Sequence, residues 1–139
     1  LYSFFGVASA GILHDLLLKE NTFGYLSQEV IDYTFGKNNW GVSFLASKSL
    51  PNSVRNVYSQ TYKIQKNLFP TGAIAEGPGD INGHLSNVKW FSLSQKAFEN
   101  EKFNTQKVVF YDDDTDFQTM ETTICGIADG IFLLSLISK

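Results

Sequence analysis

Two segments that lack a polar face constrain this chain more than anything else in it. Residues 1–19 read LYSFFGVASAGILHDLLLK, and residues 124–137 read ICGIADGIFLLSLI. In the first, Phe4, Ala8, Ile12 and Leu16 recur at steps of four, the spacing of one helix face. Gly6, Ala8, Ala10 and Gly11 leave room for a neighbouring backbone. The second lies in a helix expected from about Thr119 to Ser138. There Ile124, Ile127, Ala128, Ile131 and Leu134 form one face, and Phe132, Leu133 and Leu136 cover much of the rest. A helix that is apolar nearly all round has to be covered on several sides. A chain of 139 residues has too few further helices to cover two of them. The sequence therefore predicts additional protein around these helices, as missing chain or as a partner. The apolar run contains Asp129 and is shorter than a membrane span, so it reads as a buried helix and no membrane partner is expected.

Between these ends the pattern changes. Residues 26–35 predict a second helix, with Leu26, Val30 and Tyr33 on one face and Gly36 as its stop. The short turn before it predicts antiparallel packing on the first helix. From Lys37 to about Gly83 the helical period disappears and Gly, Pro, Asn and Ser accumulate. A loop of that length is functional or disordered, and the interleaved Trp40, Phe44, Tyr58, Tyr62 and Phe69 favour an ordered one. Residues 84–103 predict one or two short helices, and 107–111 a short extended piece. The fold class is all-α with long ordered loops, in one domain over residues 1–139. A net charge of −3 without a basic stripe argues against nucleic acid as a partner. Cys125 is the sole cysteine, which excludes an internal disulfide and a cysteine zinc site. It reads as a small core residue, and His14 as an interior histidine. No signal peptide is read at Leu1.

The chemistry concentrates in VVFYDDDTDFQTMETT, residues 108–123. Asp112, Asp113, Asp114 and Asp116 crowd together, and Glu121 follows at the mouth of the apolar helix. Asp112, Asp114 and Asp116 have the first three spacings of an EF-hand loop, but Phe117 and Thr123 stand where it needs Gly and Glu. An EF-hand is excluded, and a calcium site of another geometry stays open. A second reading is capping of the last helix by Asp116 or Thr119, with acidic groups suiting its macrodipole. That leaves Glu121 without a reason. The third reading is catalytic. A carboxyl partly desolvated by an apolar helix, beside other carboxylates, has its pKa raised and holds a proton near neutrality. Such an acid can protonate the leaving oxygen of a glycoside.

The segment Phe110-x-Asp112, four residues, Phe117, three residues, Glu121, x, Thr123 resembles the C-terminal signature of glycoside hydrolase family 9, the inverting cellulases. In that signature an aromatic, an Asp, an aromatic and the acid Glu precede small residues on a buried helix. Ile127 departs from the usual Asn, and Ala128 restores the match. Residues 30–44, VIDYTFGKNNWGVSF, are similar to the family's DY-x-x-G-x-N-x-x-G-x-S-[YF] block at Asp32, Tyr33, Gly36, Asn38, Gly41, Ser43 and Phe44. GAIAEGPGD, residues 72–80, is similar to a loop that shapes the substrate cleft, and residues 1–19 sit where the family has a barrel helix. The ordered set spans nearly the whole chain. The family's Pro-His-His-Arg segment is missing. LPNSVRNVYSQ, residues 50–60, stands in its place, with Arg55, Asn56 and Tyr58 as its polar groups. No Asp-Ala-Gly-Asp motif for the catalytic base is present.

The resemblance implies that this chain is the C-terminal portion of an (α/α)6 barrel, completed by the remainder of the catalytic domain. It implies cleavage of β-1,4-glucan chains by an inverting acid/base mechanism, in which two carboxyls about 6.5–9.5 Å apart flank the bond and a water. Glu121 is then the general acid, and the base is an Asp outside this chain. Asp112 orients a sugar hydroxyl or supports the acid, while Asp113 and Asp114 serve as loop caps or solvated charges. Trp40, Trp90 and Tyr111 are candidates for stacking on sugar rings, although a place in the core is the stronger reading for each. Arg55, Tyr58 and His84, the last placed in a loop, are candidates for contacting substrate. No metal ligand is assigned and no cofactor is required, although structural calcium is common in the family. The partners are a polysaccharide or oligosaccharide and the rest of the domain, and the substrate class implies a secreted, extracellular protein. The departures keep alternatives open: a non-catalytic carbohydrate-binding or scaffolding relative, an exo-acting glucosidase or glucosaminidase, or an unrelated helical interaction domain.

Overall fold

The structure is a computed structural model and describes residues 1–59, 68–91 and 99–138, with backbone alone at 90, 91, 99 and 100. Tyr62, residues 92–98 and the side chain of Trp90 lie outside the described set. Helix α1 (Tyr2–Leu18) is followed by α2 (Tyr25–Thr34), β1 (Gly79–Asp80), α3 (Ile81–Phe91), a 3-10 turn (Glu99–Phe103), β2 (Val108–Val109), α4 (Phe117–Met120) and α5 (Ile124–Ile137). The described chain is helix-rich, with one small antiparallel ladder pairing Gly79 with Val109 and Asp80 with Val108.

Helix α1 packs against both α2 and α5. It ends at Lys19 in the left-handed conformation, φ 55°. The Asp15 carboxylate then accepts a hydrogen bond from the Phe23 N–H at 2.8 Å, closing the turn into α2. Phe5, Ala8, Ile74 and Leu133 form the α1–α5 core. Gly126 and Gly130 are the other buried residues of α5, and they let the ring of Tyr2 and the ring of Phe5 lie against its backbone.

The larger core belongs to the loops. Trp40, Val42, Phe44, Ala46, Val54, Val57, Ala75, Phe110 and Met120 form one buried cluster, drawn almost wholly from segments outside the long helices. Buried loop backbone must still be hydrogen-bonded. It is, through short bridges: Phe44 N–H to Thr34 C=O and Ala75 N–H to Phe44 C=O, both at 2.9 Å, and Ala46 N–H to Ala73 C=O at 2.7 Å. Gly36, at φ 118°, makes the reversal from α2 into this loop, a backbone conformation open to glycine.

Several expectations need correction. The last helix does not run unbroken from Thr119. It is split into α4 and α5, because Glu121 is extended (φ −63°, ψ 141°) and Thr123 caps α5 by accepting the Gly126 N–H at 3.1 Å. The inward face of α5 is the Gly126–Gly130–Leu133 seam, so Ile124 is 88% and Ile131 63% exposed, and Cys125 is exposed as well. Within α1, Ala8 is buried but Phe4 and Leu16 are 50% and 62% exposed. The sequence located the helices; it could not say which side of an all-apolar helix this chain itself covers. His84, expected in a loop, lies on α3.

Candidate active site

Glu121 sits where three extended segments meet. Tyr58 N–H donates to the Met120 carbonyl, Glu76 N–H to the Glu121 carbonyl and Gly77 N–H to the Thr119 carbonyl, each at 2.9 Å. The Tyr2 hydroxyl reaches the same node. It shares its proton between the carbonyls of Ile74 (2.8 Å) and Glu121 (3.0 Å), and accepts from Thr123 N–H at 3.3 Å. Burial is the main reason that the Tyr2 phenol is pushed up to about 12. Helix α1, the loop at 74–77 and the strand-like piece at 57–58 thus hold the backbone at and just before one partly buried glutamate. A side chain projecting from backbone fixed on both flanks is pre-oriented.

The aspartates do different work from the crowding around Glu121 that their spacing suggested. The Asp112 carboxylate accepts the N–H groups of Arg55 (2.9 and 3.1 Å) and Asn56 (2.8 Å), and the Asn56 side chain donates back to the Asp112 carbonyl at 2.9 Å. Desolvation raises its pKa, and those N–H groups oppose the rise. Asp112 is therefore placed as a clamp on the loop at 55–56. Asp113 is buried and accepts from the Thr115 N–H and hydroxyl, while Asp116 caps α4 by accepting the Gln118 N–H at 3.1 Å. A second carboxylate of the site is Glu76, whose pKa is raised by burial, with the N-terminal ammonium opposing and the charge of Glu121 adding to the rise.

Other sequence-derived candidates fall in varied places. Trp40 is 3% exposed, stacks obliquely on Phe110 at 5.9 Å and donates its indole N–H to Asn104 Oδ1 at 2.7 Å. As placed it is a core residue and offers no ring face for a sugar. The Arg55 guanidinium donates to the carbonyls of Ser47 and Leu50, both at 2.6 Å, and so closes its own loop. Tyr58 pairs with Glu121 through the backbone bridge, and its ring meets Phe117 edge-on at 6.0 Å. Tyr111 is partly buried beneath His84, with ring centroids 4.4 Å apart. The structure thus brings Tyr58 to Glu121, and commits Asp112, Arg55 and Trp40 to holding loops and core. Two residues of the site went unread in the sequence, Tyr2 and Glu76. The one signal for Glu76 was an isolated charge inside the small-residue loop GAIAEGPGD.

Clefts of about 290 and 310 Å³ lie along α1 and α2, lined by Phe4, Val7, Leu26 and neighbours. Another, of about 460 Å³, lies between Phe4, Tyr33, Asp80 and Lys107. Glu121 lines none of these three. The walls of the first two are mostly apolar and belong to α1, α2 and the turn between them, while the third also has Asp80 and Lys107 in its lining. Among the described residues, no group of three His, Cys, Asp or Glu side chains is placed to hold a metal ion. No helix among them is long and apolar enough to cross a membrane.

The raised Glu76 carboxyl, chiefly an effect of burial, predicts a pH effect on stability. A carboxyl whose folded pKa lies above its unfolded value of 4.5 binds more protons when folded. Its stabilising contribution is complete below that value and is lost as pH rises through the folded pKa. In denaturant melts taken from acid toward neutral pH, Glu76→Gln is expected to lose less stability over that interval than the unmutated protein. Identical pH slopes would remove the case for a strained Glu76 carboxylate.

The family model of glycosyl hydrolase family 9 matches residues 7–134. No curated protein and no solved structure matches the chain.

Proposed function

Because the chain belongs to glycosyl hydrolase family 9, we propose that it supplies the C-terminal part of a glycosidase domain that cleaves β-1,4-glucan with inversion, Glu121 acting as general acid. The observation that carries this reading is the fixation of the Glu121 backbone by Tyr2, Glu76 and Phe117, with the neighbouring Met120 and Thr119 carbonyls held by Tyr58 and Gly77, and the residue partly buried at the entrance to α5. General-acid catalysis depends on such placement before it depends on pKa. In the reaction Glu121 delivers its proton to the glycosidic oxygen as the bond to the anomeric carbon breaks. A water attacks from the opposite face, and its proton goes to an Asp base outside this chain. Asp112 then acts on the reaction through the loop at 55–56.

The remainder of an (α/α)6 barrel is proposed to cover the apolar sides of α1 and α5. Support comes from Leu16, Leu17, Ile124 and Ile131, each more than half exposed on helices too apolar for water. A polysaccharide substrate implies an extracellular setting. Structural calcium remains part of the family-based reading. The test is stereochemical. Hydrolysis of a cello-oligosaccharide by the full-length enzyme, followed at once by proton NMR, is expected to release the α anomer first. A β-anomer product would overturn inversion, and absence of hydrolysis of any β-glucan would overturn the activity.

A further inference from the structure

His84 is a buried ionisable group that the proposed reaction does not use. It lies on α3, 5% exposed, and stacks face to face on Tyr111 at 4.4 Å and 17°. Its Nδ1 faces Asp116 Oδ2 at 3.4 Å and has no formed hydrogen bond. Two bare lone pairs facing each other in a buried site would repel, so one proton has to lie between them. Either the imidazole carries N–H toward a carboxylate, or the carboxyl carries O–H toward the ring.

What hangs from Asp116 gives this contact its meaning. The Asp116 carbonyl accepts the Met120 N–H at 3.0 Å, and the Phe117 carbonyl accepts the Glu121 N–H at 3.2 Å. Its carboxylate caps the same turn at Gln118. The Thr119 hydroxyl has a single proton and two acceptors in reach: Asp116 Oδ2 at 2.9 Å and the Tyr111 carbonyl at 3.1 Å. A charged Asp116 draws that proton, and a protonated one releases it to Tyr111. The protonation state at His84–Asp116 is thereby passed along α4 to Glu121. Desolvation holds the Asp116 carboxyl above its usual range, with Thr119 and His84 opposing.

We propose that His84 is a positioning residue for Glu121, acting through Asp116 and the α4 turn. This rests on the glycosidase reading, in which the direction of the Glu121 carboxyl matters. Other ionisable groups around the pair are Tyr111, stacked on the ring, and Glu101, whose charge acts on Tyr111. Asp80, at the start of α3, is committed to the N–H groups of Asn82 and Gly83.

The test uses the full-length enzyme with two variants. His84→Phe keeps the stack and removes the nitrogen; His84→Asn keeps an N–H donor near the Nδ1 position. For His84→Phe, kcat is expected to fall roughly tenfold at unchanged KM, with a shifted pH–kcat profile. His84→Asn is expected to restore kcat. Carbon-13 NMR of the Glu121 carboxyl is expected to show its titration moved in His84→Phe and retained in His84→Asn. A folded His84→Phe with unchanged kcat, pH profile and Glu121 titration overturns the proposal. If the full-length enzyme hydrolyses no glycoside yet the Glu121 titration still follows His84, the positioning contact stands and the glycosidase reading falls. Should His84→Phe fail to fold, nitrogen-15 NMR of the unmutated protein decides. A proton shared by Nδ1 with Asp116 supports the proposal, and an Nδ1 with no such partner overturns it.

Discussion

Glu121→Gln in the full-length enzyme is expected to lower kcat on cello-oligosaccharides by about 10³-fold and to leave substrate binding nearly intact. Glutamine has the shape of glutamate but no proton to give. The bonds that hold this residue run through its backbone carbonyl and N–H, so the substitution leaves them in place. The loss therefore falls on the step in which the leaving oxygen gains a proton. An activated aryl glycoside, whose leaving group departs as a stable anion, needs less of that proton. The defect is expected to shrink on such a substrate, a pattern that a merely unfolded enzyme cannot produce. The same variant removes the Glu121 charge that helps raise Glu76, so the Glu76 titration is expected to move down. Retention of full activity on an unactivated oligosaccharide would end the assignment of Glu121 as the acid.

Gly126→Ala carries the second large effect. A methyl at Gly126 would overlap the ring of Tyr2. The ring is not the free end of a flexible side chain. Its hydroxyl is tied to Ile74, Glu121 and Thr123, so it cannot move aside without breaking those contacts. Overpacking a seam of this kind costs about 1–3 kcal/mol, and losing the phenol's hydrogen bonds adds roughly 1 kcal/mol more. The expected total is about 3 kcal/mol, read as a lower urea midpoint at unchanged slope. Tyr2→Phe, which removes the hydroxyl and keeps the ring, is expected to cost only about 1 kcal/mol. A neutral Gly126→Ala would mean that α1 and α5 are not packed as described.

How much could be read beforehand differs from element to element. Helix α2 was legible because Leu26, Val30 and Tyr33 repeat at helical spacing and Gly36 stops it, and the structure has α2 at Tyr25–Thr34. The extended piece at 107–111 was legible from its β-branched pair, Val108 and Val109. Glu121 stood out as a lone acid before an apolar run, and its spacing to Asp112 and Phe117 carried the family. The work of Asp112 was not legible. Its partners Arg55 and Asn56 are more than fifty residues away, and a carboxylate clamped on backbone N–H looks the same in sequence as one held out to a sugar. Trp40 could be read as a core residue, but not its polar partner: only the fold brings Asn104 to its indole N–H.

The sequence alone determined where helices form and which family the chain joins, because both depend on local spacing: apolar residues at helical intervals, glycine at a reversal, acid and aromatic at fixed separations. The tertiary structure decided which side of each apolar helix is covered, which carboxylates are committed to backbone, and that Tyr2 and Glu76 reach Glu121. Those depend on contacts between residues far apart in the chain, where hydrogen-bond geometry and exclusion of water leave no mark on neighbouring letters.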